Sequence, residues 1–280
     1  MLKDRIGKEL LFFDGGMGTL LQEKGLKPGE LPELWNIERP EAICQIHRDY
    51  LEAGSDLILA NTFGANRCKF HSQNISLEEV IQTALENARQ AVRQVGGKKR
   101  YIGMDLGPTG RLLKPLGDLD FEEACQVFGE AAKIGEKAGA DFIHIETMSD
   151  TYEVKAAVLG AKEHTQLPIF VTVVFDERGK MLTGGTVEAV TALLEGLRVD
   201  AIGMNCGLGP EQMIGLVKEF RKYCSLPLIV KPNAGLPKQK SGRVYYDVEP
   251  DVFAERMGEI IELGASAVGG CCGTTPGHIQ

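Results

Sequence analysis

Short apolar runs alternate with longer amphipathic stretches along the chain, and the alternation repeats eight times. The runs are Leu10–Phe13, Leu57–Ala60, Tyr101–Asp105, Phe142–Glu146, Ile169–Phe175, Ala201–Asn205, Leu228–Lys231 and Ser266–Gly269. Each is apolar on both faces, the pattern of a parallel strand packed on both sides. Between them the pattern predicts helices over about 41–53, 77–95, 121–138, 150–164, 187–197, 211–223 and 250–263. Small-residue turns such as Ala53-Gly54-Ser55-Asp56 and Leu263-Gly264-Ala265-Ser266 lead from helix to strand, where glycine suits a left-handed C-terminal cap. Eight strand–helix units predict a (β/α)8 TIM barrel as one domain over residues 1–280, with its active site at the C-terminal ends of the strands. A doubly wound open sheet would show the same alternation. The connections 64–76 and 107–120 are long for plain turns, as functional or disordered loops are. The eighth helix has barely begun at Pro276-Gly277-His278-Ile279-Gln280, so the expectation is a domain cut from the N-terminal part of a longer chain.

Composition narrows the function classes. The 280 residues are 43% hydrophobic and 25% charged, ordinary for a globular chain. A net charge of −8 argues against a nucleic-acid partner and against an anionic membrane surface. The apolar run after the charged N-terminus, Leu10 to Phe13, is too short for a signal-peptide core, and Ile169–Phe175 is too short to span a bilayer. These features predict a soluble, cytoplasmic protein.

The unusual residues fall at predicted strand ends: Asp14-Gly15-Gly16-Met17-Gly18-Thr19, Asn61-Thr62-Phe63, Glu146-Thr147, Asn205-Cys206-Gly207, Pro232-Asn233-Ala234-Gly235 and Gly270-Cys271-Cys272-Gly273. Seven cysteines are neither even in number nor dense enough for a disulfide scaffold. Cys44, Cys68, Cys125 and Cys224 are scattered and read as small packing residues. Cys271 and Cys272 are neighbours, which would face opposite ways in a strand, but the glycines around them let the backbone leave strand geometry. Cys206 directly follows the sixth run and can approach across the barrel mouth. Three thiolates with one open position is the pattern of a catalytic zinc, whereas a structural site is closed by four ligands. The alternatives are three small buried residues or a redox pair. An iron–sulfur cluster is disfavoured, because no tight Cys-x-x-Cys run is present.

The string Val268-Gly269-Gly270-Cys271-Cys272-Gly273-Thr274-Thr275-Pro276 closely resembles the zinc motif of the homocysteine S-methyltransferase family, and the strand-end motifs above resemble that family's in the same order. Pro232-Asn233-Ala234-Gly235-Leu236-Pro237 and the terminal Gly-Thr-Thr-Pro-Gly-His-Ile run are most similar to its cobalamin-dependent branch. The resemblance implies that Cys206, Cys271 and Cys272 hold Zn2+ and that the substrate is L-homocysteine. It implies that Asp14 and Glu146 take the substrate ammonium, and that backbone N–H groups near Gly15, Gly16 and Thr62 take its carboxylate. Asn205 and Asn233 would support the cysteines or the substrate, and the Asn233 oxygen or a water would fill the open position. The methyl donor it implies is methylcobalamin, bound outside this segment, with cobalamin-binding and folate-binding modules as partners in the same longer chain or in trans. A stand-alone enzyme using betaine or S-methylmethionine is the alternative within the family.

Three other readings are weaker. Gly16-Met17-Gly18 starts like a dinucleotide fingerprint, but Leu21 stands where the third glycine belongs. Lys231 at a strand end would suit a Schiff-base aldolase, but no acid–base set accompanies it. A zinc-stabilised, non-catalytic interaction barrel is the third. None of His47, His71, His144, His164 and His278 is expected to be a ligand.

Overall fold

The computed structural model describes residues 1–70, 75–240 and 243–280. It is a (β/α)8 barrel. The strands are β1 (Leu11–Phe12), β2 (Leu57–Leu59), β3 (Tyr101–Leu106), β4 (Phe142–Met148), β5 (Ile169–Val173), β6 (Ala201–Asn205), β7 (Leu228–Lys231) and β8 (Ala267–Val268). All eight pair in parallel, running β1-β8-β7-β6-β5-β4-β3-β2 around the sheet. A parallel bridge between Phe13 and Leu57 closes the ring. Side chains reinforce this short seam: Phe12 N donates to Asp56 Oδ2 at 3.1 Å, and Leu59 N donates to Asp14 Oδ2 at 2.8 Å.

Each strand is followed by its helix: α1 (Pro40–Glu52), α2 (Leu77–Val95), α3 (Phe121–Lys137), α4 (Thr151–His164), α5 (Val187–Gly196), α6 (Pro210–Tyr223), α7 (Pro250–Glu262) and α8 (Pro276–Ile279). Four of them, α1, α6, α7 and α8, open on proline, whose missing N–H costs nothing in a first turn. Ser76, Asp150 and Thr186 cap α2, α4 and α5 with side-chain oxygens.

Strand alternation sorts the barrel interior into layers. Leu11, Leu57, Tyr101, Phe142, Phe170, Ala201, Ile229 and Ala267 form one buried cluster at the N-terminal end, closed beneath by Leu2 and Ile6. Two residues further along, Phe13 and Leu59 share their layer with Gly103, Gly203 and Gly269. A Cβ on Gly103 would stand 2.5 Å from the Phe142 ring, and one on Gly203 would stand 1.8 Å from the Ile229 carbonyl oxygen. The Phe142 ring therefore demands glycine at 103, and the backbone of the neighbouring strand demands it at 203. The outward residues of the same strands, including Ile58, Met104, Ile143, Val171, Ile202 and Val230, pack under the helices. This double burial explains why the runs are apolar on both faces.

The strands lie within two residues of the positions their pattern predicts. Several short elements carry no such pattern: the helices Met17–Glu23, Trp35–Glu38 and Arg67–Phe70, and the hairpin of Lys238–Lys240 with Arg243–Tyr245. Helices this short are marginal alone and form only against the barrel. Within the 107–120 connection, Leu113 and Leu119 are buried and bridge one another. His71 in the 64–76 connection lies outside the described residues. Among the described residues, no helix is long and apolar enough to cross a membrane.

His47 on α1 is fully buried, and neither ring nitrogen has a hydrogen-bond partner. Burial holds its pKa down at about 4, below the 6.5 of a free histidine. Because the folded pKa is the lower one, this group's contribution is full above pH 6.5 and is lost as pH falls towards 4. Between pH 7 and pH 5 the loss amounts to about 2 kcal/mol. Urea midpoints of wild type and His47→Leu at the two pH values check this: the variant should lose measurably less stability on acidification. Parallel losses would assign the acid sensitivity elsewhere.

Candidate metal centre and barrel mouth

The C-terminal face carries two chemical poles, which meet where β8 pairs with β1. One is sulfur. The Sγ atoms of Cys206, Cys271 and Cys272 all lie within 4.8 Å of one another, the one thiol cluster of this kind among the described residues. Cys206 Sγ and Cys272 Sγ are 3.8 Å apart. A tetrahedral zinc with sulfur at about 2.3 Å sets neighbouring sulfurs about 3.8 Å apart, so the spacing fits such an ion.

Local backbone geometry makes this convergence possible. Cys206 adopts φ +59° and Thr147 φ +60°, left-handed values that are uncommon for residues with side chains. Asn205 lies between these corners and ties them: its Nδ2 donates to Thr147 Oγ1 at 2.7 Å, and its Oδ1 accepts from Thr147 N at 2.9 Å. The same Oδ1 accepts from Thr172 Oγ1 at 2.8 Å, and Nδ2 points at Cys271 Sγ at 3.7 Å. Past β8 the chain turns back on itself. Cys271 N donates to Pro232 O, and Cys272 N to Asn233 Oδ1 at 3.1 Å. Gly273, at φ +79°, donates to Thr19 Oγ1, and Thr274 Oγ1 bonds Cys271 O while accepting from Gly16 N. Tyr50, buried on α1, donates its hydroxyl to Thr274 O at 3.0 Å. The two adjacent cysteines thus face one point because four separate segments clamp their turn.

Packed together, the thiols divide their protons unequally. Hydrogen bonds from Cys206 and Cys271, with a further one from Tyr246, hold Cys272 down at about 3. For Cys206 the bond with Cys271 favours the thiolate, but its bond to Cys272 and burial outweigh that and push it up to about 11. Hydrogen bonds to Cys206 and Cys272 keep Cys271 well above the usual thiol range. A bound cation would remove the remaining protons.

The other pole is carboxylate. Asp14 follows β1, and Asp105 and Glu146 lie near the ends of β3 and β4; all three are buried. Lys231 at the end of β7 reaches across the lumen to Glu146, Nζ to Oε2 at 2.8 Å, with its ammonium over the Phe13 ring. Burial would raise the Glu146 carboxyl, but Lys231 and the His144 hydrogen bond outweigh it and hold it down at about 2. Burial works against the Lys231 charge, yet Glu146, Asp14 and Asp105 more than offset it, so Lys231 stays protonated. A protonated, ion-paired lysine is no Schiff-base nucleophile, which removes the aldolase reading. Burial pushes Asp14 up to about 7 against the pull of Lys231. His144 is held neutral by burial, at about 4.

All ten residues singled out in the sequence lie at this end of the barrel, but their groups are not equally free. Gly16 N donates to Thr274 Oγ1 and Thr62 N to Ala60 O, so both amides have partners within the protein. A Cβ on Gly15 would stand 2.6 Å from Thr274 Oγ1, and one on Gly16 2.6 Å from Cys271 O; protein packing alone requires glycine there. The Asn233 oxygen serves the Cys272 amide. Sequence reasoning passed over Lys231 as part of this network, and over Asp105, Thr19, Tyr50, Thr274 and Tyr246. Only the strand alternation of Tyr101, Gly103 and Asp105 could have signalled an inward carboxyl on β3.

The model of the family described as homocysteine S-methyltransferase matches residues 11–280. The methionine synthases of Mycobacterium leprae and Mycobacterium tuberculosis are each 36% identical over 295 aligned positions covering 100% of this chain. The chain spans about a quarter of the length of these relatives (24% and 25%). Among solved structures, the metallated form of the homocysteine methyltransferase MmuM from Escherichia coli superposes with a TM-score of 0.81 at 24% identity, over 99% of this chain and 96% of that one.

The clamp on the cysteine turn predicts a measurable loss. Removing the Asn233 side chain (Asn233→Ala) frees the Cys272 amide, and affinity for added Zn2+ should fall about 10- to 100-fold. Competition with a chromophoric chelator reads this directly, and unchanged affinity would mean that the turn holds its shape without Asn233.

Proposed function

The chain belongs to the homocysteine S-methyltransferase family and is a methyltransferase, and on that premise we propose that it methylates the thiolate of L-homocysteine at a zinc site formed by Cys206, Cys271 and Cys272. The observation that carries the reading is the two-pole mouth: three thiols on the arc of β6 and β8, buried carboxyls on the arc of β1, β3 and β4. Homocysteine has the matching ends, a thiol at one and an ammonium at the other. Zinc bound by three thiolates with one open position supplies a Lewis acid that keeps the substrate thiol ionised at neutral pH, where a free thiol of pKa about 8.5 is mostly protonated.

The protein's own groups do the rest. Asp14, with Glu146 and its lysine behind it, draws the substrate ammonium to the carboxylate pole. Gly15, Gly16 and Thr62 form the wall beside Asp14, on the side where the substrate carboxylate lies. Asn205 and Asn233 hold the cysteine-bearing turns in place. The substrate sulfur then takes the methyl carbon, the bond from that carbon to the donor breaks, and its electron pair stays with the donor. The product is a neutral thioether.

The donor we propose is methylcobalamin, presented by a separate cobalamin-binding module, with a folate-binding module to regenerate it. The support is the similarity to the two mycobacterial methionine synthases, of which this chain spans about a quarter. On this reading residues 1–280 are the homocysteine-binding barrel of a larger assembly.

Zinc-loaded protein given L-homocysteine and methylcobalamin should form methionine, and Ser at any one of the three cysteines should cut the rate about 100-fold or more. Removing the metal should leave the circular dichroism spectrum intact while abolishing activity. Methionine from betaine or S-methylmethionine only would remove cobalamin from the account. Unfolding on chelation, with no donor supporting methionine formation, would favour the non-catalytic barrel.

A further inference from the structure

A mouth that methylates a bound thiolate while three protein thiolates stand beside it must choose among sulfurs. A methyl group taken by one of its own cysteines would turn a thiolate ligand into a neutral thioether and spoil the metal site. Each of the three sulfurs has its own hydrogen-bond donor from the protein. Cys206 Sγ accepts from the Gly207 amide, Asn205 Nδ2 points at Cys271 Sγ at 3.7 Å, and Cys272 Sγ accepts from the Tyr246 hydroxyl. We propose that these donors shield the cysteines from methylation, with Tyr246 the positioning residue that guards Cys272, so that the substrate sulfur reacts in preference to the protein's own. This rests on the zinc–thiolate reading above and adds what decides which sulfur takes the methyl group.

A hydrogen bond to a thiolate draws on the lone pairs that would attack carbon. It is strongest while the sulfur carries its full charge and weakens as that charge passes into the new S–C bond. It therefore stabilises the starting state more than the transition state, and alkylation slows. Packing places Tyr246 for this role. It follows the strand Arg243–Tyr245 and is half-buried, with its ring against Gly273, where an added Cβ would stand 2.4 Å from the ring carbons Cγ and Cδ2. The chain after it is anchored as well: Asp247 pairs with Lys238, and Val248 N donates to Ala234 O at 3.0 Å. Of the three donors, the Tyr246 hydroxyl is the one that can be removed cleanly. The Gly207 donor is backbone, and Asn205 also ties Thr147 and Thr172. Tyr246→Phe deletes a single oxygen and keeps the ring against the cysteine turn.

The test treats zinc-loaded protein, without homocysteine, with iodomethane and locates the first methyl group taken up by peptide mass spectrometry. At each site the sulfur bonds the methyl carbon as the carbon–iodine bond breaks, and iodide leaves with the electron pair. Tyr246→Phe should be methylated at Cys272 about tenfold faster than wild type, the loss of one hydrogen bond to a charged group. Cys206 and Cys271 should stay within about twofold of wild type, with zinc content unchanged. With Co2+ in place of zinc, the sulfur-to-metal absorption band should move to longer wavelength in Tyr246→Phe, as a lone pair released from a hydrogen bond requires. Unchanged methylation of Cys272 would overturn the proposal, and so would an unmoved cobalt band, because the hydroxyl would then not act on the sulfur. Equal acceleration at all three cysteines would make Tyr246 a cover that merely excludes reagent, and would overturn it too. A wild-type protein that retains no zinc would sink the metal reading itself, a result separate from the others.

Discussion

Lys231 and Glu146 meet inside the barrel, strand β7 to strand β4, with 2.8 Å between Nζ and Oε2 and the Phe13 ring against the ammonium. Burying two charges costs several kcal/mol per ion before their attraction repays it, and stripping away one partner costs about 3–5 kcal/mol. The pair therefore marks where the interior changes character. Below it the lumen is packed with aromatic and aliphatic side chains, fitted around glycines that leave room for nothing else. Above it stand the carboxyls of Asp14 and Asp105 and the three thiols. The pair also fixes the chemistry available at the mouth: Lys231 is held protonated and Glu146 ionised.

Around the cysteines, the structure spends strain to gather sulfur. Two residues with side chains, Thr147 and Cys206, sit in left-handed backbone conformations on either side of Asn205. Such residues cost on the order of 1–3 kcal/mol each and persist only where their surroundings over-determine them. Asn205 supplies that determination with bonds to Thr147, Thr172 and the Cys271 sulfur. Thr19, Tyr50, Asn233 and Thr274 do the same for the turn that follows β8. The sulfur positions are thereby set largely by side chains distant in sequence, which keeps the three thiols within 4.8 Å of one another.

Much of this was legible in the chain. The eight strands could be read because residues buried on both faces leave continuous apolar runs, and the cysteines because glycines around Cys271 and Cys272 announce a backbone departing from strand geometry. The rest was hidden for physical reasons. Asp105 lies inside an apolar run, where alternation gives its facing direction but not its neighbours. Lys231 reads as a lone strand-end lysine until β4 is placed across the lumen. Gly15 and Gly16 suggested a close ligand approach, whereas Thr274 and the Cys271 carbonyl already occupy the space a Cβ would need. The Lys238–Tyr245 hairpin has no apolar alternation to reveal it.

The central claim is that the three sulfurs hold a catalytic zinc whose open position receives the substrate thiol. Zinc-edge X-ray absorption on the purified protein, with and without L-homocysteine, tests it most directly. The account predicts a first shell of three sulfurs and one lighter atom that becomes four sulfurs when homocysteine is added. Zinc already ringed by four sulfurs and indifferent to homocysteine would contradict it and leave the metal a purely structural part.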